Sequence, residues 1–342
     1  MADSITNLDE LEERLSRPTE AVVEMFRRMR GDVILLGVAG KIGPSLARMA
    51  KRASDQAGKP RRVIGVARFS NAEEETKLQA AGIETVRCDL LDDAAVARLP
   101  DAPNVLYLAG MKFGANGNEP FTWAMNAHLP SLICKRYPRS RIVAYSTGNV
   151  YSFVSPDSGG SRETDAPQPV GEYAMSCLGR ERIFEHFSRT NGTPVALVRL
   201  NYACDLRYGV LVDIARRVWT GEPLDISNGW FNTIWQGDCN AMTLLALEYA
   251  SSPPLVLNLT GPQTLSVRET AVELAKLLGR EARFVGKENP SALLSNASQC
   301  HKLFGLPEVS ESQLIRWVAD WVKRGGANLG KPTHFESRDG KY

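Results

Sequence analysis

The sequence of 342 residues contains no run of about 18 apolar residues, so it offers no helix able to span a bilayer. It also lacks a Cys-x-x-Cys pair. Its six cysteines (Cys88, Cys134, Cys177, Cys204, Cys239 and Cys300) are scattered, without the Cys/His spacing of a metal site. They are expected to be reduced, mostly buried thiols in a cytoplasmic protein. Charge of one sign is missing too: 41 basic and 39 acidic residues leave a formal charge of +2, which gives no electrostatic case for nucleic acid or an acidic membrane surface. The short basic clusters at 27–30 and 59–62 read as solvated helix and loop ends. The first ten residues are acidic and carry no apolar stretch of the secretory-signal kind. Internal repeats and low-complexity tracts are absent. What remains is ordinary globular composition, 43% hydrophobic and 23% charged, in a chain long enough to bury most of its apolar surface without crosslinks.

Residues 8–30 carry apolar positions at helical spacing (Leu8, Leu11, Leu15, then Val22, Val23, Phe26, Met29), divided by Pro18. The first piece is expected to be the more mobile, and the second to pack on the domain. The period then changes. Asp32–Gly37 is a short continuous apolar run, as in a strand buried on both faces of a parallel sheet. Further strands are expected at 62–67, 83–88, 104–109, 141–146, 194–200 and 255–260, with helices at about 72–81, 93–99, 119–137 and 173–191. This alternation predicts an α/β fold with a Rossmann-like, doubly wound parallel sheet. Past residue 201 the pattern loosens. Ser266 and Glu269 form a capping box for a helix ending at Gly279, and 311–323 is amphipathic. The tail from Gly325 has little periodicity.

Gly37-Val-Ala-Gly40-Lys41-Ile42-Gly43 follows the first strand and precedes a helix with Pro44 at its start. Glycine permits the tight turn and lets a pyrophosphate approach the amides at the helix start. In that strand–turn–helix setting the motif predicts a dinucleotide site. The second strand ends with Arg68 and no acid. An arginine there favours the 2′-phosphate of NADP, so NADP is the favoured cofactor, with NAD possible. Asp89 and Leu90 follow the third strand, where the adenine would lie.

With these residues assembled, the chain from about 31 to 325 resembles the extended short-chain dehydrogenase/reductases, the NAD-dependent epimerase/dehydratase group. The resemblance rests on the glycine turn, Asp89-Leu90, Leu106–Gly110 with Ala109 at the strand tip, Asn126, Ser146–Tyr151, Tyr173–Cys177, Glu181, Val198–Asn201, Asp238 and Leu257–Gly261. It implies a Rossmann domain (31–200 plus 237–261), a smaller substrate-binding lobe (201–236 plus 262–325), a helical N-terminal extension (1–30) and a tail (326–342). It also implies that Thr147 and Tyr173 hold the substrate oxygen, with Asn149, Asn201 and Arg207 on the substrate side. A homodimer through the helices at about 119–137 and 173–191 is a further expectation.

Two departures narrow this. A lysine four residues after the tyrosine normally lowers its pKa, since a phenol of pKa ~10 needs a nearby cation to act as a base near neutrality. Position 177 is cysteine. Either another cation substitutes, for which Lys112 past the fourth strand is the candidate, or the protein binds dinucleotide as a regulatory or scaffolding member. The family's 4,6-dehydratases carry Asp-Glu after the threonine, and this chain has Gly148-Asn149. The expected function is therefore an NAD(P)-dependent oxidoreductase or epimerase acting on a carbohydrate-like alcohol or ketone. No metal site is expected. Arg207 reads equally as an anion contact or a structural salt bridge. Trp230, Phe231, Asn232 and Trp235 read as lobe packing ahead of a sugar pocket, and His301 as a helix-surface residue.

Overall fold

A computed structural model of the protein describes residues 4–112 and 114–341. Seven strands build the central sheet: β1 (Val33–Leu36), β2 (Val63–Ala67), β3 (Glu84–Arg87), β4 (Asn104–Tyr107), β5 (Arg141–Thr147), β6 (Val195–Leu200) and β7 (Leu255–Leu259). All pair in parallel, in the order β7-β6-β5-β4-β1-β2-β3. The chain runs outward from β1 to β3, then restarts at β4 on the other side, so the order reverses between β1 and β4. Ligand crevices open at such a point, beyond the carboxyl ends of the strands.

The helices are α1 (Leu8–Ser16), α2 (Glu20–Arg28), α3 (Gly43–Gln56), α4 (Ala72–Ala80), α5 (Asp93–Ala97), α6 (Glu119–Trp123), α7 (Leu129–Arg136), α8 (Gly171–Asn191), α9 (Val210–Thr220), α10 (Gln236–Leu245), α11 (Val267–Leu278), α12 (Ser298–Phe304) and α13 (Glu311–Lys323). Strand β1 shows why the sequence reads as a continuous apolar run. Val33 and Leu35 enter one core with α2, α3 and α10, while Ile34 and Leu36 enter the core on the opposite face with α7 and α8. Both faces are covered, so no polar alternation is needed.

A third core is built from α9, α11 and α13 around Phe231, Trp235 and Trp317. It also takes in Leu11 and Leu15 of α1 and Phe335 of the tail. The first N-terminal piece, expected to be the mobile one, is thus held as firmly as the second. Leu11 and Leu15 are fully buried, and Glu12 and Glu13 pair with Arg48 and Arg52 of α3. The helix expected as one piece over 119–137 contains a π-helical turn, Ala124–His128, between α6 and α7. Pro130 brings no N–H to this turn. The carbonyls of Met125 and Asn126 accept instead from the Tyr107 hydroxyl and from Arg180 Nε, each at 3.4 Å. Such turns inside helices often mark functional sites. All six cysteines are buried and unpaired.

Candidate active site

The turn after β1 is shaped by its glycines. Gly37 has φ +91°, and a Cβ there would lie 2.8 Å from the backbone nitrogen of Ala109, so it lets the first and fourth strand tips close up. A Cβ at Gly43 would collide with Val38, which seats α3 against the turn. At Gly40 a Cβ would meet only the Gly37 carbonyl oxygen, at 3.4 Å, leaving the outer side open. Helix α3 has no acid in its first turn and no side-chain cap on its opening amides. An open cradle of amides at a helix start suits a pyrophosphate, so the residues present fit a dinucleotide. A cleft of about 680 Å³ runs from this turn across the strand tips, lined by Gly37, Gly40, Lys41, Ile42, Gly43 and Gly110 among others. Of the other residues expected at the cofactor, Arg68 stands exposed at the tip of β2 and Asp89 is exposed beyond β3. Leu90 and Ala109 are buried behind the edge of the sheet.

An inner cavity of about 190 Å³ continues from the cleft, and here Thr147, Tyr173 and Lys112 meet, with Asn149 and Asn201. Each reaches it from a different element. Thr147 ends β5, and its hydroxyl donates to Asn149 Oδ1 (3.0 Å) while accepting from the Asn149 amide (3.2 Å). Tyr173 lies in the first turn of α8. Lys112 follows β4, with its ammonium 5.8 Å from the Tyr173 ring centroid and donating to the Thr333 carbonyl at 3.4 Å. Burial lowers Lys112 to about 8. Lys41 is lowered to about 7 by burial and by the nearby Lys112 and Lys331 ammonium groups, and sits 3.5 Å above the Tyr208 ring. Cys177 fills the expected lysine position. It is fully buried, hydrogen-bonded with Tyr173, and burial pushes its thiol up.

Asn126, from the π-turn, holds the Lys112 loop in place. Its side chain accepts from the Met111 amide and donates to the Met111 carbonyl, both at 2.9 Å, and also donates to Ser176 Oγ at 2.9 Å. Arg207 lines the cleft but is engaged by Asp205 at 2.7 Å and by Glu12 at 2.6 Å, the arrangement of a structural ion pair. Phe231 and Trp235 are core residues, Trp235 packing edge-on to Trp317. Asn232 is buried and accepts from the Ser295 amide, and half-buried Trp230 pairs with Ser266 in a short ladder. His301 Nε2 lies 3.0 Å from the Thr260 carbonyl, away from both cavities.

Sequence reasoning missed Tyr208 and Thr333 in the inner cavity, and Glu12, Arg180 and Lys331 in the cleft. Thr333 lies in a tail without periodicity and Glu12 in an extension helix, so no local signal marked them. Arg180 had one: it follows Tyr173 at i+7 on one helix face.

By sequence, no curated protein is matched. Among solved structures the fold is similar to UDP-glucose 4-epimerase of Thermotoga maritima with UDP-glucose (18% identity, TM-score 0.70, 86% of this chain and 99% of that one). It is similar also to UDP-glucuronic acid 4-epimerase of Bacillus cereus with UDP-glucuronic acid and NAD (19% identity, TM-score 0.70, 86% and 99%). A third is dTDP-glucose 4,6-dehydratase of Streptomyces venezuelae with NAD (20% identity, TM-score 0.71, 85% and 97%). Residues 33–204, which contain the glycine turn, Thr147 and Tyr173, match the NAD dependent epimerase/dehydratase family. The chain belongs to that family.

Proposed function

We propose that the protein is an NAD(P)-dependent oxidoreductase or epimerase acting on a carbohydrate-like alcohol or ketone by hydride transfer. The observation that carries this reading is the meeting of Thr147, Tyr173 and Lys112 in a cavity continuous with the glycine-turn cleft. A bound dinucleotide supplies the carbon that takes or gives the hydride. The chain's own residues handle the substrate oxygen. Tyr173 gives or takes the hydroxyl proton at its phenol oxygen. Thr147 turns its hydroxyl from Asn149 to that same oxygen, and Lys112 stabilises the negative charge developing there. Asn149 and Asn201 offer further polar contacts to the substrate. The sugar nucleotides in the solved structures of similar fold support a carbohydrate-bearing ligand. Gly148 and Asn149 carry no carboxyl to move protons around a sugar ring, which argues against 4,6-dehydration.

NADP is the favoured cofactor, because exposed Arg68 and no acid stands at the end of β2. NAD, present in the similar structures, is the other candidate. A homodimer across α6, α7 and α8 belongs to the same reading, with Phe121, Trp123 and Met175 exposed there. A second reading, a dinucleotide-responsive regulatory or scaffolding protein, is favoured by the cysteine at 177. A panel of sugars and sugar acids offered with NAD and with NADP, read by reduced-nicotinamide absorbance, separates the two. Turnover that falls by about 10²–10⁴-fold in Tyr173→Phe is expected. Dinucleotide uptake without oxidation of any panel member would shift the reading to the regulatory one.

A further inference from the structure

Three residues beyond Cys177, on the same face of α8 as Tyr173, stands Arg180, only 6% exposed and lining the cleft. Its Nη1 donates to the Tyr145 carbonyl at 2.8 Å, and its Nη2 to Asn126 Oδ1 at 2.5 Å. Its Nε donates to the Asn126 carbonyl at 3.4 Å. These acceptors are all neutral. The nearest acid in sequence, Glu181, is spent on Arg199 at 2.7 Å and on the Ser146 hydroxyl at 2.5 Å. A buried charge whose hydrogen bonds all go to neutral groups is costly, and among the described residues Glu181, already engaged by Arg199, is the one formal negative charge acting on it. Gly110 shows how closely the guanidinium is fitted beneath the cleft floor, since a Cβ there would collide with Nη2.

The groups facing Arg180 narrow what that opposite charge is. Tyr107 of β4, whose ring centroid is 5.7 Å away, and Cys177 are both pushed up by burial and stay neutral near neutrality. Asn126 and the Tyr145 carbonyl do not ionise. Lys112 is a second cation near Tyr173, its ammonium 5.8 Å from the ring centroid. Glu181 is already engaged by Arg199, so Tyr173, half-buried and lining the same cleft as Arg180, is the facing group whose ionisation is still to be answered.

We propose that Arg180 is the positioning cation of this chain: it takes over the duty of the absent lysine by stabilising the ionised phenol of Tyr173 from beneath the cleft floor. The proposal rests on Tyr173 being the acid–base group. Arg180 differs from Lys112 in one useful respect, since a guanidinium keeps its charge across the whole working range.

The test is the pH midpoint of Tyr173 ionisation, read as the near-ultraviolet phenolate absorbance that Tyr173→Phe removes. It needs neither substrate nor turnover, so its failure is distinguishable from failure of the catalytic reading. Arg180→Met should raise the midpoint by about 1 unit or more, the direction expected when a nearby opposite charge is lost. Arg180→Gln, which keeps donors for Asn126 but not the charge, should do the same if the methionine variant does not fold. Arg180→Lys should stay near the native midpoint, and adding Cys177→Lys to the uncharged variant should bring the midpoint back down. A folded Arg180→Met or Arg180→Gln protein with an unmoved midpoint would overturn the proposal.

Discussion

Lys112 holds its ammonium where burial disfavours it, lowered from 10.5 to about 8. The sign of the linkage follows. Between about 8 and 10.5 the unfolded chain keeps a proton that the folded chain has released, so stability rises with pH across that window. Below about 8 both states are protonated and the folded state carries the full cost of the buried charge. Lys112→Met should therefore stabilise the protein near pH 7 by on the order of 2 kcal/mol. The gain should shrink as the pH climbs, as denaturant titrations at pH 7 and 10 would show. Turnover should fall in the same variant, the trade expected where an active site is kept at a cost in stability. At the glycine turn the expected effect is the reverse, function lost with fold kept. The space beyond a Cβ at Gly40 is open except for the Gly37 carbonyl, so Gly40→Val should fold with an unchanged melting temperature. Its γ-methyls would fill the cradle, and calorimetry should show loss of dinucleotide uptake. Gly40 could be placed at the cleft from its strand–turn–helix setting, and Thr147 and Tyr173 at the inner cavity from the family resemblance. Arg180 and Thr333 could not, because tertiary packing alone brings them to the site.

Elements show the same division. The parallel strands could be read because burial on both faces leaves runs such as Val33–Leu36 with no polar interruption. Helix α10 could not: all ten residues of Gln236–Leu245 are buried, so it has no solvent face and no 3.6-residue pattern. Helix α9 opens with Val-Leu-Val, which reads as strand or helix alike. The π-turn escaped because the groups that satisfy its freed carbonyls, Tyr107 and Arg180, are brought to it only by the tertiary fold. That turn carries a prediction of its own. Asn126→Leu would strip partners from the Met111 amide and carbonyl, Ser176 and Arg180 together. Breaking a buried network around a charge should cost about 3–5 kcal/mol by urea denaturation. Hydrogen exchange should report faster opening of the loop bearing Lys112.

At the scale of the whole molecule, the site is closed by segments far apart in sequence. Glu12 of α1 reaches the cleft and pairs with Arg48 and Arg207, while the tail brings Leu329 and Lys331 to it and Thr333 to the inner cavity. The tail is pinned at several points. Thr333 donates twice to Asp213, at 2.8 and 2.6 Å, Asn228 donates to the Phe335 carbonyl at 2.7 Å, and Arg338 donates to Ser291. Between them the Phe335 ring, 1% exposed, enters the third core. The ring is thus the apolar anchor of a segment whose Thr333 lines the inner cavity. Phe335→Ala should cost about 3–5 kcal/mol, because the surrounding helices cannot close over the vacated volume. The loss should appear unevenly. Limited proteolysis should cut first within 326–341, and substrate affinity should fall further than dinucleotide affinity, since the tail lines the inner cavity while the glycine turn is held by β1, β4 and α3. Equal weakening of both ligands would mean that the tail supports the whole cleft and not its inner end.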